Sequence, residues 1–150
     1  MCTVPKSLFP TPEDAEQAFY EAFANADLAA MMEVWADQDF IECIHPLRDR
    51  VQGYKAVKES WRDIFEGGLR VQLKLTRVHR TQDALIAVHV LYEHLSAPGD
   101  TGSWPPVITT NVFQLVDGSW RMIHHHASPG SDDDDNDNPA DTVVANGQLH

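Results

Sequence analysis

Residues 107–127 read VITTNVFQLVDGSWRMIHHHA, and this stretch decides the fold. Asp117-Gly118 is a two-residue hairpin signal between two runs rich in β-formers. A two-residue loop predicts that Val116 faces Ser119, Leu115 faces Trp120 and Phe113 faces Met122. It then sets Asn111 against His124 and Thr109 against His126. Because strand side chains alternate between faces, one face carries Leu115, Trp120, Phe113 and Met122, followed by Asn111, His124, Thr109 and His126. The opposite face carries Gln114, Arg121, Val112, Ile123, Thr110, His125 and Ile108. A face that turns from apolar to polar along its length is the pattern of a pocket with a hydrophobic wall and a hydrogen-bonding floor. The plain alternative is a wet strand end that tolerates any residue. This register directs His124 and His126 into the pocket and His125 away from it. A bulge between Trp120 and His124 would exchange those roles.

Upstream, the period changes from two to 3.6. Thr11, Pro12 and Asp14 make a capping-box-like helix start, and Ala15, Ala18, Phe19, Ala22, Phe23 and Ala26 form its apolar stripe. Asp27 caps a second helix carrying Leu28, Met31, Met32 and Trp35. Residues 40–45 form a short strand ended by Pro46, and polar residues to Gln52 form a loop. A third helix follows Gly53, with Tyr54, Val57, Trp61, Ile64 and Phe65 on one face, and stops at Gly67-Gly68. Alternation from Arg70, then a run at 85–95, completes an order of helices first and strands later. That order predicts an α+β domain with the helices covering one face of a mainly antiparallel sheet.

The chain has 150 residues, 43% of them hydrophobic, enough for one domain with a sizeable core. Its formal net charge is −12, but six acids and no Lys or Arg lie beyond Ser128. The remainder holds 17 acids against 11 bases, an ordinary balance. An acidic body without a basic stripe argues against nucleic acid or an anionic membrane as partner. Two cysteines without regular spacing, Cys2 and Cys43, fit a reducing compartment, and the N-terminus lacks a signal-peptide pattern, so a cytoplasmic location is expected. Residues 129–150 are expected to be a disordered acidic tail, because like charges repel and few apolar residues anchor them. The Asp run lacks the loop glycine and closing Glu of an EF-hand, so a solvated tail is preferred to a calcium site.

Further residues fall into an ordered set. Residues 35–46, WADQDFIECIHP, are followed by Gly53, Ala56-Val57, Ser60-Trp61, Ile64-Phe65, Glu93, Thr110-Asn111-Val112-Phe113 and residues 120–128. Together these resemble the SnoaL-like branch of the nuclear transport factor 2-like superfamily, a cone-shaped α+β roll that includes ketosteroid isomerases and polyketide cyclases. The resemblance covers residues 12–128, which leaves 1–11 as an N-terminal arm. It implies three helices on a strongly curved sheet enclosing a pocket, and often a dimer through the convex face. It also implies a pocket list of His45, Trp61, Glu93, Asn111, His124 and His126. The isomerase's Tyr and acid pair has no match here.

Two functional classes follow. The first is an enzyme on a partly apolar organic molecule, of isomerase, cyclase or dehydratase type. In it Glu93, His124 and His126 act as acid or base, and His45, Trp61 and Asn111 bind the ligand. The second is a non-enzymatic ligand-binding or dimerisation module. His45, Glu93, His124 and His126 are also ligand types for zinc or iron, but a hydrogen-bonded His cluster is preferred, with neither metal nor cofactor. Cys43 is read as a small buried hydrophobe. A homodimer is expected through Ile108, Val112 and Ile123, rimmed by Gln114 and Arg121. Truncation at Ser131 is expected to leave the Tm within about 5 °C of the full chain; a larger fall in a thermal melt would mean that the tail docks.

Overall fold

The structure, a computed structural model, describes residues 8–68, 70–99 and 104–131. Helix α1 (Pro12–Asn25) starts at Thr11, whose hydroxyl accepts from Asp14 N while the Asp14 carboxylate accepts from Thr11 N. Two backbone donors of the first turn are thereby satisfied, as the sequence predicts. Ala26 ends the helix in the left-handed region (φ 52°). Asp27 caps α2 (Leu28–Val34), accepting from Ala30 N. The chain continues through β1 (Glu42–Ile44), β2 (Val51–Gln52), α3 (Tyr54–Glu66), β3 (Gln72–Gln82), β4 (Ile86–Ser96), β5 (Val107–Val116) and β6 (Ser119–Pro129). The first strand is shorter than expected, and the segment read as a loop to Gln52 ends in β2, which pairs with β1.

Three helices pack on a six-stranded sheet of order β2-β1-β6-β5-β4-β3. Pairing is antiparallel except for β1 against β6, which run parallel. This is the expected α+β roll, with an open sheet. The helices and the concave face enclose Phe19, Tyr20, Trp35, Trp61, Phe113 and Met122, all buried. Each such side chain contributes about 1.5–3 kcal/mol when removed from water. Part of the N-terminal arm joins this body: Phe9 N donates to Ser119 Oγ at 2.8 Å, and Phe9 O accepts from Trp120 N at 2.9 Å.

The β5–β6 hairpin turns on Asp117 (φ 50°) and Gly118 (φ 81°), positive at both positions as a two-residue primed turn requires. The register is as expected from Val116↔Ser119 to Phe113↔Met122. It then shifts: Val112 pairs with His124, Asn111 with His125, Thr110 with His126 and Thr109 with Ala127. Ile123 is the extra residue of a bulge. The expected pairings of Asn111 with His124 and Thr109 with His126 are therefore corrected by one residue. His125 is buried on the concave face, while His124 is half-buried and His126 exposed on the other. The cause is local: one inserted residue reverses side-chain parity for the remainder of a strand.

Candidate functional site

Neighbouring strands bring three polar residues onto the concave face. These are Glu93 on β4, Asn111 on β5 and His125, directly opposite Asn111, on β6. Helix α1 lays Tyr20 over them. The four side chains form one buried chain of hydrogen bonds. The Tyr20 hydroxyl donates to Glu93 Oε2 at 2.6 Å, Asn111 Nδ2 donates to Tyr20 Oη at 2.9 Å, and His125 Nδ1 meets Asn111 Oδ1 at 2.6 Å. All four are at most 2% exposed. Buried polar groups cost free energy unless paired, and here each partner satisfies the next.

A cavity of about 240 Å³ opens beside this chain. Glu93 and His125 form its polar floor, Phe23, Trp61, Ile64 and Leu95 its apolar wall, and Arg48 stands at its rim. His45, at the end of β1, completes the lining. Its Nε2 lies 3.0 Å from Ser60 Oγ and 3.5 Å from Cys43 Sγ, and its ring stands edge-on to Trp61 with centroids 4.8 Å apart. Phe19 and Trp61 pack on the His125 ring at centroid distances of 5.1 and 5.9 Å.

Burial sets the charges. It pushes the Glu93 carboxyl up to about 7, against the opposing pull of hydrogen bonds from Tyr20 and Thr109. It lowers His45 to about 4, with Arg48 adding to the effect. It holds His125 well below the ordinary imidazole value, helped by His45, His124 and His126. The site thus pairs neutral imidazoles with a carboxyl that titrates near neutrality, which suits proton transfer. Burial and the nearby Glu93 push the Cys43 thiol far up, so it is no thiolate, consistent with a small buried hydrophobe. Among the described residues no three His, Cys, Asp or Glu side chains converge as a metal site would need.

Of the six sequence-selected residues, the structure brings His45, Trp61 and Glu93 to the cavity and places Asn111 beneath its floor. It does not bring His124 or His126 there. His124 Nδ1 lies 3.6 Å from Glu42 Oε1 on the convex side, with the His126 ring 6.3 Å away. The site residues that the sequence reading missed are His125, Tyr20 and Arg48. Tyr20 lies four residues after the buried Glu16 on α1, a spacing that puts both on one helix face. No residue signal marks the bulge that admits His125.

With this geometry in hand, the chain belongs to the SnoaL-like domain family, whose pattern it matches over residues 13–132. Among solved structures it is similar to a candidate calcium/calmodulin-dependent protein kinase type II association domain from Thiobacillus denitrificans. The two share 40% identity at a TM-score of 0.79 over 83% of this chain and 99% of that one. It is also similar to a candidate dehydratase of the NTF2-like family from Streptomyces avermitilis, with 29% identity and a TM-score of 0.68 over 80% and 99% of the two chains. A curated relative is the F-box protein SKIP8 of Arabidopsis thaliana, 31% identical over 112 residues. That match takes in 73% of this chain but only 46% of the relative's length.

The raised Glu93 value has a consequence for stability. A carboxyl that holds its proton more tightly when folded stabilises fully below the ordinary value of 4.5, and this contribution is lost as pH rises through about 7. His45, lowered from 6.5 to about 4, acts oppositely: its contribution is present above 6.5 and lost as pH falls towards 4. Denaturant unfolding of Glu93→Gln is expected to lack the wild type's decline between about pH 5 and about pH 8, worth up to roughly 3 kcal/mol. An unchanged decline in the variant would show that it originates elsewhere.

Proposed function

We propose that the chain is a small-molecule pocket protein performing acid–base chemistry on a partly apolar organic ligand, of isomerase, cyclase or dehydratase type. The observation that carries this reading is a buried carboxyl titrating near neutrality beside a neutral imidazole, both facing one cavity with an aromatic and aliphatic wall. Glu93 and His125 are the acid–base candidates, in place of His124 and His126. His45 and Trp61 bind the ligand, and Asn111 holds the floor. A proton taken from an acidic carbon is returned at another atom of the same ligand, so this chemistry needs no co-reactant. The candidate dehydratase among the similar structures supports the class and no particular substrate. Native mass spectrometry of the purified full chain is expected to show a retained small organic molecule that Glu93→Gln and His125→Gln lose while staying folded. Retention of the same molecule by both variants would sink the reading.

A second reading, an assembly module, is favoured by the other side of the sheet and by the resemblance to an association domain. Val88, Val90, Tyr92, Ile108 and Val112 share the convex face and are half-buried in the single chain. Two of the expected interface residues change place. Ile123 packs against the core from its bulge, and Arg121 is buried, donating to Glu33 O at 2.6 Å. The two readings are compatible, since pocket and convex face lie on opposite sides, and a cytoplasmic location belongs to both. Light scattering at micromolar concentration is expected to report a homodimer, and Val112→Glu to dissociate it; a monomeric wild type would count against it.

A further inference from the structure

Direction matters in the buried chain. The Tyr20 hydroxyl has one proton and gives it to Glu93 Oε2, so its oxygen can only accept from Asn111. The Asn111 amide has its Nδ2 turned towards Tyr20, which leaves Oδ1, an acceptor, facing His125 Nδ1 at 2.6 Å. That contact requires a proton on Nδ1. A neutral imidazole has only one N–H. His125 Nε2 is then a lone pair, and it has no hydrogen-bond partner among the described residues. His125 lines the cavity.

We propose that the ionisation of Glu93 sets the tautomer of His125 through Tyr20 and Asn111, and so decides what the pocket floor offers a ligand. With Glu93 a carboxylate, every donor points towards it and the cavity receives a bare imidazole nitrogen. The ligand that fits is a small molecule with an acidic O–H, N–H or C–H at its polar head. With Glu93 a carboxylic acid whose proton faces Tyr20 Oη, while Thr109 keeps donating to the other carboxyl oxygen, the phenol donates to Asn111. The amide turns over, its Nδ2 faces His125 Nδ1, and the ring proton moves to Nε2. The floor then offers an N–H, suited to a carbonyl or other acceptor. Tyr20 and Asn111 are positioning residues in this scheme.

The titratable surroundings favour a switch of tautomer over a switch of charge. From α1 Tyr20 faces Glu93, with Glu16 acting on Tyr20 from one turn away, and from β1 comes the Cys43 thiol, which stays neutral. Around His125 stand His45, with Arg48 beside it, and the flanking His124 and His126. Burial first, and then these neighbouring groups, keep the His125 ring neutral. Glu93 is the member of the chain that changes charge near neutral pH.

The ligand class rests on the acid–base reading of the pocket, but the tautomer does not, so the test reads the tautomer directly. Long-range proton–nitrogen NMR of the His125 ring in the labelled full chain distinguishes Nδ1–H from Nε2–H. Wild type is expected to show Nδ1–H at about pH 9 and to pass to Nε2–H on acidification. The midpoint should coincide with that of the Glu93 side-chain carbon, near 7. Glu93→Gln is expected to abolish the pH dependence, and Tyr20→Phe to uncouple ring from carboxyl. One tautomer throughout in wild type, or two midpoints that differ, overturns the proposal even if neither variant folds. A pH dependence that persists in a folded Glu93→Gln also overturns it. A pocket without turnover still yields this readout, so the two readings fail separately.

Discussion

Ile123 has no partner in β5, and the arrangement of the site follows from that single unpaired residue. On one side of it, Phe113 faces Met122 and both point into the core; on the other, Asn111 faces His125 and both point the same way. Without the bulge, the parity of Met122 would carry His124 and His126 inward and turn His125 out. A bulge also bends a strand and increases its twist, which suits a sheet that must wrap around a cavity. The opposite edge of β6 is engaged at the same place. Ala36 N donates to Met122 O at 2.9 Å, and parallel pairing with β1 begins at Glu42↔His124. The chain between them leaves the sheet and returns, delivering His45 to the cavity.

Burying Tyr20, Glu93, Asn111 and His125 together is tolerable because each satisfies another. The arrangement depends on α1 staying seated. A second polar contact fixes that helix one turn earlier, where Glu16 Oε2 accepts from Arg80 Nη2 at 2.6 Å and from Nε at 3.2 Å. His89, fully buried beneath, places Nδ1 3.3 Å from Glu16 Oε1. Burial opposes the charge on Glu16, but His89 and Arg80 together hold it below the usual carboxylate range. The helix is thus clamped by charge at one turn and by the Tyr20 hydroxyl at the next, with Phe19 packing between Trp61 and His125. The clamp lets a phenolic oxygen hold position to hydrogen-bond accuracy over strands far away in sequence.

What the sequence disclosed divides along physical lines. Helix caps, the period change from 3.6 to two and the Asp117-Gly118 turn are local, so three helices, four long strands and their order were all legible. The turn fixed four residues of register on each side, as far as Phe113 and Met122. Beyond that the register shifts at Ile123, where a bulge adds one residue to β6. Nothing in a run of apolar and polar residues marks the extra one. Glu93, Trp61 and His45 were placed through the family resemblance, and their strand and helix faces agree with it. Tyr20 lies outside the stripe that Ala15, Phe19, Ala22 and Phe23 define, so nothing local marks it. Its ring is core, and only its hydroxyl, two strands from any sequence neighbour, belongs to the site.

The three consecutive histidines show what alternation along a strand provides. His125 is enclosed by Phe19, Trp61 and Asn111, held neutral and presented to a cavity. Its neighbours stand on the opposite face, where His124 lies beside the Glu42 carboxylate, itself 3.2 Å from Arg50. Residues separated by one peptide bond therefore experience different dielectric surroundings, and their chemistry diverges accordingly. The inner ring is shielded from bulk solvent and answers to the hydrogen-bond chain behind it. The outer two answer to solvent and to whatever covers the convex face. After burial and His45, the outer rings add to what disfavours a proton on the inner one. The bulge that selects His125 for the pocket thus also decides which two histidines surround it from the other side of the sheet.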